Sequence, residues 1–69
     1  MSDTVSVIAV FNTIKDVKPV WLCRDGKKYK VDQILSSFEV NGLMVFHCMI
    51  AGEHVPLHFV VEERLWYIG

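Results

Sequence analysis

Val20-Trp21-Leu22-Cys23-Arg24-Asp25-Gly26-Lys27-Lys28-Tyr29-Lys30-Val31 reads as two strands about a two-residue turn, and this reading decides the fold class. Asp-Gly suits a type I′ turn, which needs positive φ at both central residues. The turn sets a register: Arg24 opposite Lys27, Cys23 opposite Lys28, Leu22 opposite Tyr29, Trp21 opposite Lys30 and Val20 opposite Val31. Directly opposed residues share a face. Val20, Leu22, Tyr29 and Val31 therefore point to a core, and Trp21, Cys23, Lys28 and Lys30 point away from it.

Outward from this hairpin the same punctuation repeats. Gly42 and Gly52 also fall between runs rich in Val, Ile, Phe, Trp and Tyr, the spacing of short strands joined by tight turns. Gly52-Glu53 suits a type II′ turn within Leu43–Val61, pairing Ile50 with Val55, Cys48 with Leu57, Phe46 with Phe59 and Met44 with Val61 on one apolar face. The other face then holds Met49 with Pro56, His47 with His58, and Val45 with Val60. Pro56 lacks a ladder donor and marks its strand as an edge or a bulged strand.

Asn41-Gly42 reads as a further type I′ turn. Its register places Leu35 and Ser37 inward and Ile34 and Phe38 outward, in conflict with the hairpin before it. A β-bulge between Val31 and Ser36, or a loop of three to five residues, resolves the conflict. A short helix over 31–38 is the alternative, because Val31, Ile34, Leu35 and Phe38 also fit a helical period. Thr4 to Phe11 supplies a first strand, Asn12 to Lys18 a loop, and Leu65-Trp66-Tyr67-Ile68 a last strand whose Trp66 and Ile68 face the core. The expected fold is all-β: a single small antiparallel curled sheet or barrel of SH3-like or OB-like size, with about six short strands in meander order. Residues 3–69 form one domain behind a flexible N-terminus of residues 1–2.

The chain has 69 residues, 52% hydrophobic and 22% charged. With a mean hydropathy of +0.33, this composition excludes intrinsic disorder. The longest apolar runs, Val7 to Phe11 and Leu43 to Phe46, are far short of a membrane-spanning helix. An acidic N-terminus does not resemble a signal peptide, so the expected compartment is the cytoplasm, with no membrane partner. Two cysteines are too few for a secreted disulfide scaffold, and Cys23 and Cys48 read as free thiols. Charge is unevenly spread. Residues 15–30 carry six cations against Asp16 and Asp25, a net +4, while the rest of the chain carries Arg64 against six acids, a net −5.

Pro19-Val20-Trp21-Leu22, then Gly26, Tyr29, Val31 and Ile34-Leu35, then Gly52, Leu57 and the terminal Trp66-Tyr67-Ile68, resemble small bacterial all-β families of unknown function. The resemblance covers residues 19–68 and carries no catalytic residue. Some such proteins are similar to ones encoded near error-prone DNA polymerase subunits, which implies a nucleic-acid setting.

The residues that could do chemistry are few. His47 opposite His58 would bring two imidazoles to one ion, which makes them weak metal candidates, but Cys48 alternates to the other face. That alternation also separates His47 from Cys48 as a nucleophile and base. Neither a glycine-flanked serine elbow nor a glycine-rich phosphate loop occurs in the sequence. The expected function is therefore a non-catalytic interaction module without a cofactor, with an unknown protein as partner. Its interface would centre on Val45, Met49, Val60 and Tyr67, whose types are those enriched in interface cores. The alternative is weak nucleic-acid binding through Trp21, Arg24, Lys27, Lys28 and Lys30, with the indole stacking a base and the cations meeting phosphates. The chain is expected to be a monomer, or a weakly associating homodimer through the edge strand at Pro56.

Overall fold

A computed structural model describes residues 4–13 and 16–69. The expectations for residues 1–2 and for Lys15 lie outside the described residues. Six antiparallel strands, β1 (Thr4–Thr13), β2 (Asp16–Arg24), β3 (Lys27–Val40), β4 (Leu43–Ile50), β5 (Glu53–Val60) and β6 (Leu65–Ile68), close into a barrel in meander order. Each strand pairs with its neighbour in sequence, and β6 returns to β1 through Thr4 opposite Tyr67 and Val5 opposite Trp66.

Three turns establish most of the register. Asp25 and Gly26 have φ of 51° and 76°, Asn41 and Gly42 have 49° and 81°, and Ala51 and Gly52 have 52° and 78°. Positive φ at both central residues makes each a type I′ turn, whose twist matches that of the flanking strands. The first turn gives the expected pairs from Arg24 opposite Lys27 to Trp21 opposite Lys30. The third departs from expectation. The β4–β5 turn is Ala51-Gly52 and not Gly52-Glu53, so Cys48 faces Val55, Phe46 faces Leu57, Met44 faces Phe59 and Val45 faces His58. The register differs by two residues from the expected one. A slip of two preserves the faces, because the side-chain period of a strand is two.

Residues 31–38 are strand and not helix, and β3 is irregular between Val31 and Gln33 and again between Ile34 and Ser36. The double irregularity turns Ile34 inward opposite Cys48 and leaves Leu35 exposed, removing the clash between the two turn registers. Residues 12–13 and 16–18, expected in a loop, are strand. β1 runs to Thr13 and β2 begins at Asp16, with residues 14–15 outside the described residues. A further irregularity between Ile8 and Ala9 leaves Val20 without a partner in β1, and the β2–β3 register ends at Trp21 opposite Lys30. Val20 is thus half-buried at a bulge and does not face Val31.

Pro56 does not mark an edge. β5 lies between β4 and β6, with Pro56 opposite His47 on one side. On the other, the Pro56 carbonyl accepts from the Gly69 N–H at 3.1 Å, just past the last β6 pair, Leu57 with Ile68. The missing N–H falls where the neighbouring strand has ended, so no regular ladder bond is lost. Among the described residues β5 pairs with β6 only over Leu57–Val60, and Glu53–Val55 pair with β4 alone.

The core comprises Val17, Leu22, Phe46, Cys48, Ile50, Leu57, Phe59 and Trp66. Trp66 sits between Phe59 and Phe46, its ring centroid 4.7 Å and 5.8 Å from theirs. Tilted aromatic contacts of this kind add about 0.5 to 1.5 kcal/mol per pair beyond the area they bury. No helix among the described residues is long and apolar enough to cross a membrane.

Ala51 occupies a left-handed conformation that costs a β-carbon-bearing residue about 1 kcal/mol or more. Ala51→Asn should raise stability by about 0.5 kcal/mol or more, because Asn tolerates that region. Thermal denaturation reads the change as a rise of about 2 to 4 °C. A turn at Gly52-Glu53 would instead put residue 51 in an extended strand, and the same substitution would then lower the melting temperature.

Candidate functional site

The β1–β3 side of the barrel presents the cationic residues. Outward positions form cross-strand rows, Ile8 with Trp21 and Lys30, Ser6 with Cys23 and Lys28, and Val10 with Lys18. Lys28 Nζ lies 5.8 Å from the centroid of the half-buried Trp21 ring, a cation–π contact across the hairpin. Arg24 and Lys27 face each other, exposed, at the hairpin tip. Trp21, Lys28 and Lys30 are thus on one face as expected, while Arg24 and Lys27 have the parity of Leu22 and Tyr29 and reach solvent only because the strand ends there.

A second surface lies on the outside of β3–β6. One row runs Val40, Leu43, Val60, Leu65 and the next Phe38, Val45, His58, Tyr67, each crossing all four strands. Phe38 is 51% exposed, Val40 52% and Leu65 40%. Val45, at 6%, is buried but lies outside the main core cluster, flanked across the strands by Phe38 and His58. Met49, Val60 and Tyr67 are half-buried on the same face. Sequence reading found this face through Val45, Met49, Val60 and Tyr67, but missed its most exposed members. Phe38 and Val40 join that set through the regular register of the Asn41-Gly42 turn, and Leu65 through its pairing with Val60.

The imidazoles do not pair as expected. His47 lies opposite Pro56, and His58 lies opposite Val45 and Tyr67. The slip of two brings His54 to His47 instead, with Nδ1 of His47 3.0 Å from Nε2 of His54. Ring centroids 5.1 Å apart and planes 7° from parallel place the rings edge to edge, since that separation is close to the nitrogen contact plus a ring radius on each side. One ring donates its N–H and the other accepts. The 3.0 Å contact is a hydrogen bond between the two rings. Among the described residues no group of three or more His, Cys, Asp or Glu side chains is arranged to hold a metal.

Cys23 and Cys48 are both free. Cys48 is buried, points inward and donates to the Phe46 carbonyl at 3.7 Å. Burial raises its pKa above the usual thiol value of 9.0 by penalising the thiolate. His47, on the outer face, cannot reach it through the strand.

A groove of about 800 Å³ opens between β1 and the β5–β6 turn. Val5, Val7 and Phe11 line one wall and Phe59, Val61 and Trp66 the other, with Arg64 as the only charged residue in the lining among the described residues. Phe11 meets Phe59 edge-on, centroids 5.8 Å apart and planes at 65°. Nothing in the motifs pointed to this groove. Its one signal in the sequence is the mismatch between a long first strand and a last strand of only four residues.

Set beside known proteins, the chain matches no family model, no curated protein and no solved structure.

The two thiols should differ sharply in reactivity. A maleimide at neutral pH should modify Cys23 and leave Cys48 protected until the barrel unfolds. Since the folded pKa of Cys48 is raised, its contribution to stability is complete below the unfolded value near 9.0 and is lost as pH rises past it. Mass spectrometry after timed labelling checks the first statement, and melts of the parent against Cys48→Ala above pH 9 check the second.

Proposed function

We propose that this chain is a non-catalytic interaction module that receives a protein partner on the outer face of β3–β6. The observation that carries the reading is the pair of apolar rows, which leave Phe38 and Val40 on β3 and Leu65 on β6 at 40% to 52% exposure at their two ends, joined by the half-buried Leu43 and Val60. A contiguous apolar patch on so small a barrel marks an interaction surface. His58 and Tyr67 lie within the rows and supply polar groups at its centre. Glu62 and Glu63 stand exposed in the β5–β6 turn, where Glu63 accepts from the Tyr67 hydroxyl at 3.3 Å. With this acidic rim, the fitting partner presents an apolar patch bordered by Lys or Arg. The separation of His47 from Cys48 by the thickness of the sheet supports a non-catalytic role.

A photoreactive residue at position 40, introduced in cells, should give one discrete adduct with another protein, whereas the same residue at position 28 should not. Phe38→Asp should remove the adduct, weakening the complex by about thirtyfold, the effect of losing an interface anchor worth about 2 kcal/mol. Equal labelling from both positions, or an adduct that survives Phe38→Asp, would rule the face out.

A second reading rests on the Lys28 contact with Trp21 and on the lysines around it. A flat indole among cations suits weak binding of single-stranded nucleic acid. The expected signature is binding of oligothymidylate that weakens steeply with salt and is lost in the Lys28→Glu, Lys30→Glu double variant. If that variant binds as well as the parent, the hairpin plays no such part.

A further inference from the structure

β1 has a ladder partner on both sides only near Thr4 and Val5, where β6 lies along it. From Ser6 to Thr13 its register is with β2 alone. The N–H and C=O groups of alternate residues on its other side meet no strand among the described residues. Such groups are a template for another strand. The groove of about 800 Å³ opens along the same side, within the size range of ligand sites. Its walls are inward-facing residues, so it is continuous with the core.

We propose that this groove binds an extended apolar peptide that adds to the free side of β1 as a strand. β6 runs antiparallel to β1 and ends the closed part of the barrel at Leu65. A peptide continuing the line of β6 therefore also runs antiparallel to β1, and its C-terminus arrives beside Arg64, the one charged residue in the lining among the described residues. Alternate side chains enter between Val7 on one wall and Val61 on the other, against the Phe11–Phe59 pair that already joins the two walls. Main-chain pairing supplies affinity, the groove selects apolar residues at every second position, and the guanidinium selects a free α-carboxylate. An amphiphilic acid would satisfy the walls and Arg64 but would leave the β1 ladder unpaired. The peptide answers both features. This site is separate from the outer face of β3–β6, so Phe38→Asp leaves it intact.

The test uses an acetylated hexapeptide of alternating threonine and valine ending in leucine, as the free acid, as the C-terminal amide, and as a form N-methylated at alternate residues. Amide NMR of the labelled protein should show shifts at Ser6–Phe11 and Arg64–Trp66 with the free acid, and slower amide exchange along β1. Arg64→Gln should weaken the free acid about fivefold, the worth of an exposed ion pair, and leave the amide unchanged. The N-methylated form should not bind, because it cannot complete the ladder. Absence of these shifts up to about 1 mM peptide, a binding free energy of about −4 kcal/mol, overturns the proposal. So does equal binding of the N-methylated form. Decanoate that moves the groove resonances while the peptide does not would assign the groove to an amphiphile and overturn strand addition.

Discussion

Closure of this barrel rests on a strand of four residues. β6 pairs with β5 through Leu57–Val60 and with β1 only through Thr4 and Val5. Trp66 makes that short contact sufficient, since its ring packs on Phe59 and Phe46 and anchors β6 across the core. The same brevity limits closure to one end. Beyond Ser6 the first strand continues with β2 while its other side pairs with no strand among the described residues, and the core opens there as a groove. The surfaces with functional potential follow from this arrangement, in which a chain of few residues closes a sheet without covering all of it.

The sequence made the fold class and two of the three hairpin registers legible. Asp25-Gly26 and Asn41-Gly42 are residue pairs that prefer positive φ, so local chemistry and tertiary structure agree. Ala51-Gly52 was not legible, because alanine is a poor residue for φ of 52° and Gly52-Glu53 offered a turn with less local strain. The packing of β4 on β5 prevails over that preference. Because the difference amounts to two residues, Phe46, Cys48 and Ile50 lie in the core and Met44 packs against it as expected, even though their partners differ. For the core, parity matters more than register. For the imidazoles register is decisive, and His47 accordingly meets His54 in place of His58.

Candidate surfaces were legible in proportion to how locally they are built. The Trp21, Lys28 and Lys30 cluster depends on a single hairpin and was read in full, down to which residues share a face. The apolar outer face is assembled from four strands, so which of its side chains stand exposed depends on what packs beside them, and the sequence named Val45, Met49, Val60 and Tyr67, which are buried or half-buried, in place of Phe38, Val40 and Leu65. Pro56 was misread for a related reason. Its missing donor implied an edge, but the structure accommodates it in a central strand by ending the neighbouring one at that level.

The meander order also bears on how the chain reaches its native state. Five of the six strand pairings join neighbours in sequence, and three of the turns between them are two-residue turns that form without help from distant residues. Only the pairing of β1 with β6 spans nearly the whole chain. Loop-closure entropy opposes that pairing most strongly, so the hairpins precede it and the ends dock last. A folding transition state for this barrel is thus weighted toward the β3–β4–β5 hairpins, with Trp66 contributing mainly to how slowly the finished barrel opens.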